Sequence, residues 1–131
     1  MCRPTHGIAT DGAHSTKNRL TRYRAVDIST GEELFSVSLG LQTINIGEFL
    51  GVVEAVKYII ANGYSPRTIY TDSTTAIAWF KAKRTASKKR NPALQKAEVF
   101  LKAFAAEVET IEVLHWDNRE WGEIPADYGE K

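Results

Sequence analysis

The spacing of hydrophobic and polar positions changes four times along the chain, between strand-like and helix-like periods. Alternation with a period of two predicts strands over 22–28 and 33–39, and we expect a first strand over 6–10 that ends at Asp11-Gly12. The residues at 29–32 (Ser-Thr-Gly-Glu) are typical of a hairpin turn between the second and third strands. The first part of the chain is therefore predicted to be an antiparallel meander.

The pattern then becomes helical over 45–61, and Gly63 is typical of a left-handed cap at the end of such a helix. With 100° per residue, Glu48 points to the same side as the apolar stripe of this helix. Two interpretations are open. Glu48 is either an acid favoured by the positive end of the helix dipole, or a carboxylate that is turned inward and paired with a metal, since an inward carboxylate is otherwise costly.

A short apolar strand follows Pro66 and ends at Asp72, and a helix is predicted over 73–83. A strand that follows a helical crossover usually runs parallel to a strand of the same sheet. Asp72 has two interpretations. On this stretch alone, the favoured one is an N-cap of the helix. The other is a functional carboxylate at the carboxyl end of a buried strand.

The rest of the pattern predicts a helix over 91–107, a last strand over 110–114 and a polar tail. The order of elements is β-β-β-α-β-α-α-β, without repeats, low-complexity tracts or linkers. We therefore expect one domain over 1–131, because this length suits a single hydrophobic core.

This order favours an α/β fold with a mixed sheet, in which the strands of the meander lie side by side. If the first strand is central, the strand that ends at Asp72 lies beside it and parallel to it. Asp11 and Asp72 then lie at the carboxyl ends of adjacent strands, at a topological switch point that Glu48 can reach. Asp11-Gly12 also has a simpler interpretation as a turn.

Three carboxylates in one place repel one another unless cations compensate them. Ligation by oxygen alone favours Mg²⁺ or Mn²⁺ over zinc. Two such ions about 3.5–4 Å apart can stabilise the attacking and leaving oxygens of a phosphodiester that is hydrolysed. The pattern of acids therefore indicates a metal site that acts on phosphates.

Composition limits the class of protein. The chain has 131 residues, 43% of them hydrophobic, and a net charge of +1, so attraction to nucleic acid must come from a local patch. One candidate patch is the stretch 81–90, which holds six basic residues and no acid. It is either a solvated loop or a protrusion that contacts phosphates.

Three further features of the sequence bear on the cellular compartment. The single cysteine, Cys2, cannot form an internal disulfide, which favours a reducing compartment. The chain has neither an apolar run near the ~20 residues that span a bilayer nor a signal-peptide pattern at its start. We expect a cytoplasmic protein.

Three short motifs together resemble the type 1 ribonuclease H family, in their order and spacing and over nearly the whole chain. They are Thr10-Asp11-Gly12, Asn45-Ile46-Gly47-Glu48 and Tyr70-Thr71-Asp72-Ser73. The resemblance implies a ribonuclease H-like α/β fold, with a five-stranded mixed sheet of strand order 3-2-1-4-5 and helices on both faces of the sheet. It also implies hydrolysis of the RNA strand of RNA/DNA hybrids with Mg²⁺ or Mn²⁺, two ions per site.

The resemblance also assigns roles to residues. Asp11 and Asp72 would bind the metals, and Glu48 would hold one and help position the ribose 2′-hydroxyl. Asp127, which composition and spacing would not select, would be a ligand of the second metal. The substrate would be contacted in its minor groove and along its DNA phosphates by Gly12, Asn45, Lys88, Lys89 and Arg90.

The chain departs from the family pattern near its end. His115 is either the family's mobile histidine, which assists proton transfer, or simply the end of a strand. The segment 123–127 reads Glu-Ile-Pro-Ala-Asp, and Pro125 opposes a long regular helix into Asp127. We therefore expect the family's C-terminal helix to be truncated, and Asp127 to be ordered by metal, by substrate or by a neighbouring subunit.

Other functions remain as alternatives. One is a catalytically silent module that binds nucleic acid on the same fold, and another is a related nuclease that cuts structured DNA. The presence of all three core acids opposes the silent module, and Asn45 weakly opposes a DNA substrate. We expect a monomer, with exchange of the terminal segment between subunits as the alternative.

Overall fold

The computed structural model describes residues 3–15, 17, 19–40, 42–83, 85 and 92–127. These residues form a five-stranded mixed sheet, and the predicted strand order 3-2-1-4-5 is confirmed. The strands are β1 (Ile8–Ser15), β2 (Leu20–Asp27), β3 (Glu33–Gly40), β4 (Thr68–Thr71) and β5 (Glu112–His115). The helices are α1 (Ile44–Asn62), α2 (Thr74–Ala82), α3 (Pro92–Ala103), α4 (Ala105–Val108) and α5 (Asn118–Trp121).

The first strand is longer than predicted, and the expected turn at Asp11-Gly12 is wrong. β1 continues through both residues and pairs antiparallel with β2 as far as Ser15, opposite Leu20. The residues after Gly12 lack the apolar alternation that would predict a strand. Their place in the sheet comes from hydrogen bonding to β2, which the pattern of side chains does not record.

The predicted crossover is confirmed. β1 pairs parallel with β4, and β4 pairs parallel with β5, so the central strand joins the antiparallel half of the sheet to the parallel half. The helix α1 supplies the connection and ends at Gly63, whose left-handed backbone (φ 60°) forms the predicted cap.

The larger core lies on one face of the sheet, beneath α1, α2 and α3. It is built from alternate residues of the strands, such as Ile8, Ala25 and Ile69, and from the apolar stripe of α1. The single helix predicted over 91–107 is interrupted at Phe104, where the backbone leaves the helical conformation and α4 begins.

The opposite face of the sheet carries a smaller core, which residues after β5 help to form. Ala9 and Val26, which alternate with residues of the larger core, pack there against Trp116, Ile124 and Ala126. In the described residues, the cover of this face is the four-residue α5 and the chain that follows it. The prediction of helices on both faces of the sheet is therefore confirmed.

None of the helices in the described part of the chain is long and apolar enough to cross a membrane.

Candidate metal centre

Three acids that are far apart in sequence meet at the carboxyl end of β4. One carboxylate oxygen each from Asp11, Glu48 and Asp72 lies within 4.8 Å of the others, and we call these three residues the acidic group. Asp11 is only 1% exposed and Glu48 only 8%, while Asp72 is half-buried. The convergence predicted from their positions on strand and helix is therefore observed.

The sheet register brings the two aspartates together. Ile8 pairs with Ile69 and Ala9 with Tyr70, so the same offset sets Asp11 level with Asp72. Asp72 follows the last residue of β4 directly, whereas Asp11 lies within β1, beyond the point where the parallel pairing ends. The two carboxylates thus meet where the parallel half of the sheet opens, as the switch-point argument requires.

Glu48 reaches this point because α1 lies unusually close to β1 and β2. A Cβ atom at Gly12 would lie 3.0 Å from Glu48 Cγ and 3.1 Å from the Glu48 backbone nitrogen. A Cβ at Gly47 would lie 2.8 Å from Thr21 Cγ2, and one at Gly51 would lie 3.2 Å from Tyr23 Cβ. The three glycines therefore permit the close contact of helix and sheet that turns Glu48 inward.

The donor set suits a hard divalent cation. All three members of the acidic group offer oxygen, and the atoms Asp11 Oδ2 and Glu48 Oε2 are buried without a hydrogen-bond donor, although both residues make other interactions. Carboxylates this close repel one another in a poorly solvated site. Mg²⁺ and Mn²⁺ prefer oxygen ligands and would relieve that repulsion, so the residues present fit such an ion.

The cap of α2 separates the two interpretations of Asp72. The hydroxyl of Ser73, not the Asp72 carboxylate, accepts a hydrogen bond from the Ala76 backbone nitrogen at 3.0 Å. The interpretation of Asp72 as the N-cap is therefore wrong. Because Ser73 caps the helix, the Asp72 carboxylate does not need to do so, and it lies with the acidic group instead.

Asn118 is a neighbour of this group that the sequence did not reveal. Its Nδ2 donates to Asp72 Oδ2 at 3.0 Å, and its Oδ1 accepts from the Ile124 backbone nitrogen at 3.1 Å. Asp117-Asn118 is typical of a turn or a helix start, and Asp117 does cap α5 through hydrogen bonds from Arg119 and Glu120. No local signal pointed from Asn118 to Asp72, 46 residues away.

Arg24 holds the end of the described chain from the other side. It lies opposite Asp11 in the β1–β2 register, so both side chains leave the same face of the sheet. Its Nε donates to the Ala126 carbonyl and its Nη2 to the Asp127 carbonyl, each at 2.7 Å. Asp127 is half-buried there and is not a member of the acidic group.

The other predicted site residues differ in burial, and three of them lie outside the described part of the chain. Gly12 is buried against Glu48, and Asn45 is exposed in the first turn of α1. His115 is exposed as the last residue of β5, paired with Thr71. Lys88, Lys89 and Arg90 lie outside the described residues.

Comparison with known proteins gives the same architecture. No protein-family model matches the chain. Among solved structures, LC11-RNase H1, isolated from compost by a metagenomic approach, is 17% identical with a TM-score of 0.58, over 86% of this chain and 84% of that one. The same enzyme in complex with an RNA/DNA hybrid is 16% identical with a TM-score of 0.55, over 87% and 86% of the two chains.

A third similar structure is the N-terminal RNase H domain of Rv2228c from Mycobacterium tuberculosis, solved as a fusion with maltose binding protein. It is 17% identical with a TM-score of 0.53, over 84% of this chain and 86% of that one. At these identities, the likeness concerns the arrangement of the backbone. The chain has the ribonuclease H fold.

Proposed function

We propose that this chain is a metal-dependent endoribonuclease of the type 1 ribonuclease H family, which hydrolyses the RNA strand of RNA/DNA hybrids. The observation that carries the proposal is the acidic group, three carboxylates within 4.8 Å at the switch point of a ribonuclease H fold. One structure of similar fold is an RNase H1 in complex with an RNA/DNA hybrid, which supports the choice of substrate.

Asp11, Glu48 and Asp72 would hold Mg²⁺ or Mn²⁺, with Asp127 as a further ligand. Two such ions, held there, would supply activation of the attacking water and stabilisation of the leaving oxygen of the phosphodiester. The buried walls around Asp11 and Glu48 lower the local dielectric, which strengthens the attraction of the carboxylates for a cation. Arg24 supports the role of Asp127, because it holds the Asp127 backbone beside the strand that carries Asp11.

The substrate contacts belong to the proposal as well. Asn45 is exposed in the first turn of α1, three residues before Glu48, and would contact the minor groove, where the 2′-hydroxyl separates RNA from DNA. Glu48 would help to position that hydroxyl. The basic residues Lys88, Lys89 and Arg90 would contact phosphates of the DNA strand and make binding depend on salt. His115 is a candidate for proton transfer, and its exposure at the end of β5 leaves it accessible to solvent.

The test is cleavage of a labelled RNA/DNA hybrid with Mg²⁺, with Mn²⁺ and with chelator, beside duplex DNA of the same sequence. We expect metal-dependent cutting of the RNA strand and little cutting of duplex DNA. Asp11→Asn should lower cleavage at least ~100-fold while far-UV circular dichroism stays unchanged, because a direct ligand matters more than the residues that support it. Asp27→Asn, the same change at a turn away from the acidic group, is the matched control.

Each alternative has its own outcome in this experiment. Equal cutting of duplex DNA would favour a nuclease with another substrate. Binding of the hybrid without any cutting would favour a silent nucleic-acid-binding module. Unchanged turnover in Asp11→Asn would remove the acidic group from the chemistry.

A cytoplasmic location and action as a monomer are also part of the proposal. The single cysteine supports a reducing compartment. The packing of Ile124 and Ala126 on the sheet of their own chain supports a site that one subunit can complete.

A further inference from the structure

Asn118 is the point where the acidic group is tied to the C-terminal segment, which we define as residues 116–127. The orientation of its amide follows from chemistry. The Ile124 backbone nitrogen can only donate, so the atom facing it at 3.1 Å is the amide oxygen Oδ1. The amide nitrogen Nδ2 therefore faces Asp72 Oδ2, at 3.0 Å.

This hydrogen bond restricts Asp72, which is the most exposed member of the acidic group. Asp72 lies just after β4 and is half-buried, whereas Asp11 and Glu48 are buried in a strand and a helix. A donor on Oδ2 fixes the plane of the carboxylate. Because Asn118 is neutral, it does so without cancelling the negative charge that attracts a cation, as lysine or arginine would.

The same side chain anchors the C-terminal segment. The Ile124 nitrogen that Asn118 accepts from belongs to a residue 1% exposed in the smaller core, and Trp116 Nε1 donates to the Gly122 carbonyl at 2.9 Å. At the far end, Arg24 holds the carbonyls of Ala126 and Asp127. Asn118 therefore contributes both to the docking of the C-terminal segment and to the orientation of Asp72.

We infer that Asn118 is a positioning residue that orients Asp72 within the acidic group and couples this ligand to the docked C-terminal segment. The inference rests on the proposed function insofar as the acidic group binds a divalent metal. Partners that hold a metal-ligating side chain from behind contribute about 10- to 100-fold to metal affinity or activity. Asn118 acts through Asp72 and is not itself placed on the metal.

The experiment compares Asn118→Ala with wild-type protein in two assays. Mn²⁺ binding is measured without substrate, from the electron paramagnetic resonance signal of the free ion. We expect the dissociation constant to rise about tenfold. In hybrid cleavage at saturating Mn²⁺, kcat should fall about tenfold, while KM for the hybrid stays within about twofold because the surface that binds nucleic acid is unchanged.

Asp117→Ala is the matched control. Asp117 caps α5 through hydrogen bonds from the backbone nitrogens of Arg119 at 3.0 Å and Glu120 at 3.1 Å, and neither bond involves Asp72. Loss of this cap should lower the melting temperature but leave the Mn²⁺ dissociation constant unchanged. If the role of Asn118 were merely structural, both variants would lower the melting temperature and leave the Mn²⁺ dissociation constant unchanged.

A second variant covers the case in which Asn118→Ala does not fold. Asn118→Asp keeps an oxygen for the Ile124 nitrogen but replaces the donor to Asp72 by a carboxylate. The segment should stay docked, as read from the fluorescence of Trp116 and Trp121, while kcat falls at least about tenfold.

The outcomes separate this inference from the proposed function. Wild-type Mn²⁺ affinity in Asn118→Ala, equal loss in Asp117→Ala, or full kcat in Asn118→Asp would overturn the role of Asn118, while wild-type cleavage would still support the function. Mn²⁺ binding by wild-type protein without hybrid cleavage would overturn the function, and the binding assay would still decide the role of Asn118. Absence of Mn²⁺ binding by wild-type protein would overturn both.

Discussion

At the scale of the residue, Gly12 is needed for a different reason from the one that the sequence suggests. Asp-Gly is typical of a turn, yet both residues lie inside β1. The glycine is required because α1 lies against it, with Glu48 Cγ 3.0 Å from where a Cβ atom would be. The absence of a side chain at Gly12 is what lets Glu48 approach Asp11.

Gly12→Ala should therefore disturb the site as well as the fold. The added methyl group would push against both the side chain and the backbone nitrogen of Glu48, so we expect a loss of about 1–3 kcal/mol in the free energy of unfolding. Hybrid cleavage should fall with it, since Glu48 is displaced. Urea unfolding and the cleavage assay measure the two effects.

Gly51→Ala is the control for close packing without contact to Glu48. Its Cβ would meet Tyr23 Cβ at 3.2 Å, one turn farther along α1, and alanine regains about 1 kcal/mol of helix propensity. This variant should keep its activity. If Gly12→Ala were equally active and stable, the close approach would not be what positions Glu48.

Asp27 is a residue whose charge stabilises a turn rather than a site. Its Oδ1 accepts from the Ser29 hydroxyl at 2.6 Å and its Oδ2 from the Tyr64 hydroxyl at 3.1 Å. The Ser29 hydrogen bond, more than the opposing effect of burial, lowers the pKa of Asp27. Burial and the hydrogen bond to Asp27 raise the pKa of Tyr64, which remains a donor at neutral pH.

A lowered pKa means that ionised Asp27 stabilises the folded state at pH above its unfolded pKa of about 4. This contribution is lost as pH falls through the folded pKa. Asp27→Asn should be less stable than wild type by ~1 kcal/mol at neutral pH, after allowance for solvent screening. The difference should shrink in urea titrations toward pH ~3, and a difference that stays constant with pH would show that the charge is not responsible.

At the scale of the element, α2 shows how neighbouring residues divide two tasks. Ser73 caps the helix through Ala76, and Asp72 is left to the acidic group. Two residues lie between the end of β4 at Thr71 and the start of α2 at Thr74. The second of them caps the helix, so the first can present its carboxylate without leaving the helix end unsatisfied. The same arrangement places the Asp72 carboxylate at the carboxyl end of β4.

Paired variants should separate these tasks. Ser73→Ala is expected to lose about 1 kcal/mol of stability, because the Ala76 nitrogen loses its partner, while cleavage is retained. Asp72→Asn is expected to abolish cleavage and to change stability less. Chemical denaturation and the hybrid assay on both proteins measure the contrast, and a larger stability loss in Asp72→Asn would restore it as the cap.

At the scale of the whole molecule, the sheet has two unequal cores. The larger one lies under α1, α2 and α3, and the smaller one is closed by Trp116, Ile124 and Ala126. Because the residues that close the smaller core belong to the segment that contacts Asp72 and ends at Asp127, this packing and the candidate site depend on each other.

Ile124→Ala should therefore destabilise the protein by ~2–5 kcal/mol, since it empties a fully buried position. We also expect weaker Mn²⁺ binding, because Asn118 loses a well-placed partner. Val99→Ala removes an apolar residue that is 66% exposed and should change stability by less than about 0.5 kcal/mol. Thermal unfolding of the two variants tests the contrast, and equal effects would mean that the smaller core contributes little.

Local periodicity, together with the residue types at turns and caps, determined much of this molecule. It predicted the α1 helix with its cap at Gly63, the antiparallel meander, and the inward direction of Glu48. The order of elements then predicted the meeting of Asp11, Glu48 and Asp72, because a right-handed crossover has few alternatives. These features depend on side-chain pattern and on chain topology, both of which can be read along the sequence.

Only the tertiary structure decided the rest. Three hydrogen bonds depend on which groups meet in space. They are the cap that Ser73 forms, the bond from Asn118 to Asp72, and the bond from Arg24 to the carbonyl of Ala126, 102 residues later. Hydrogen bonds between distant residues leave no period in the sequence, since any polar residue at those positions fits the same pattern. Geometry, and not composition, therefore selected the partners that hold the acidic group in place.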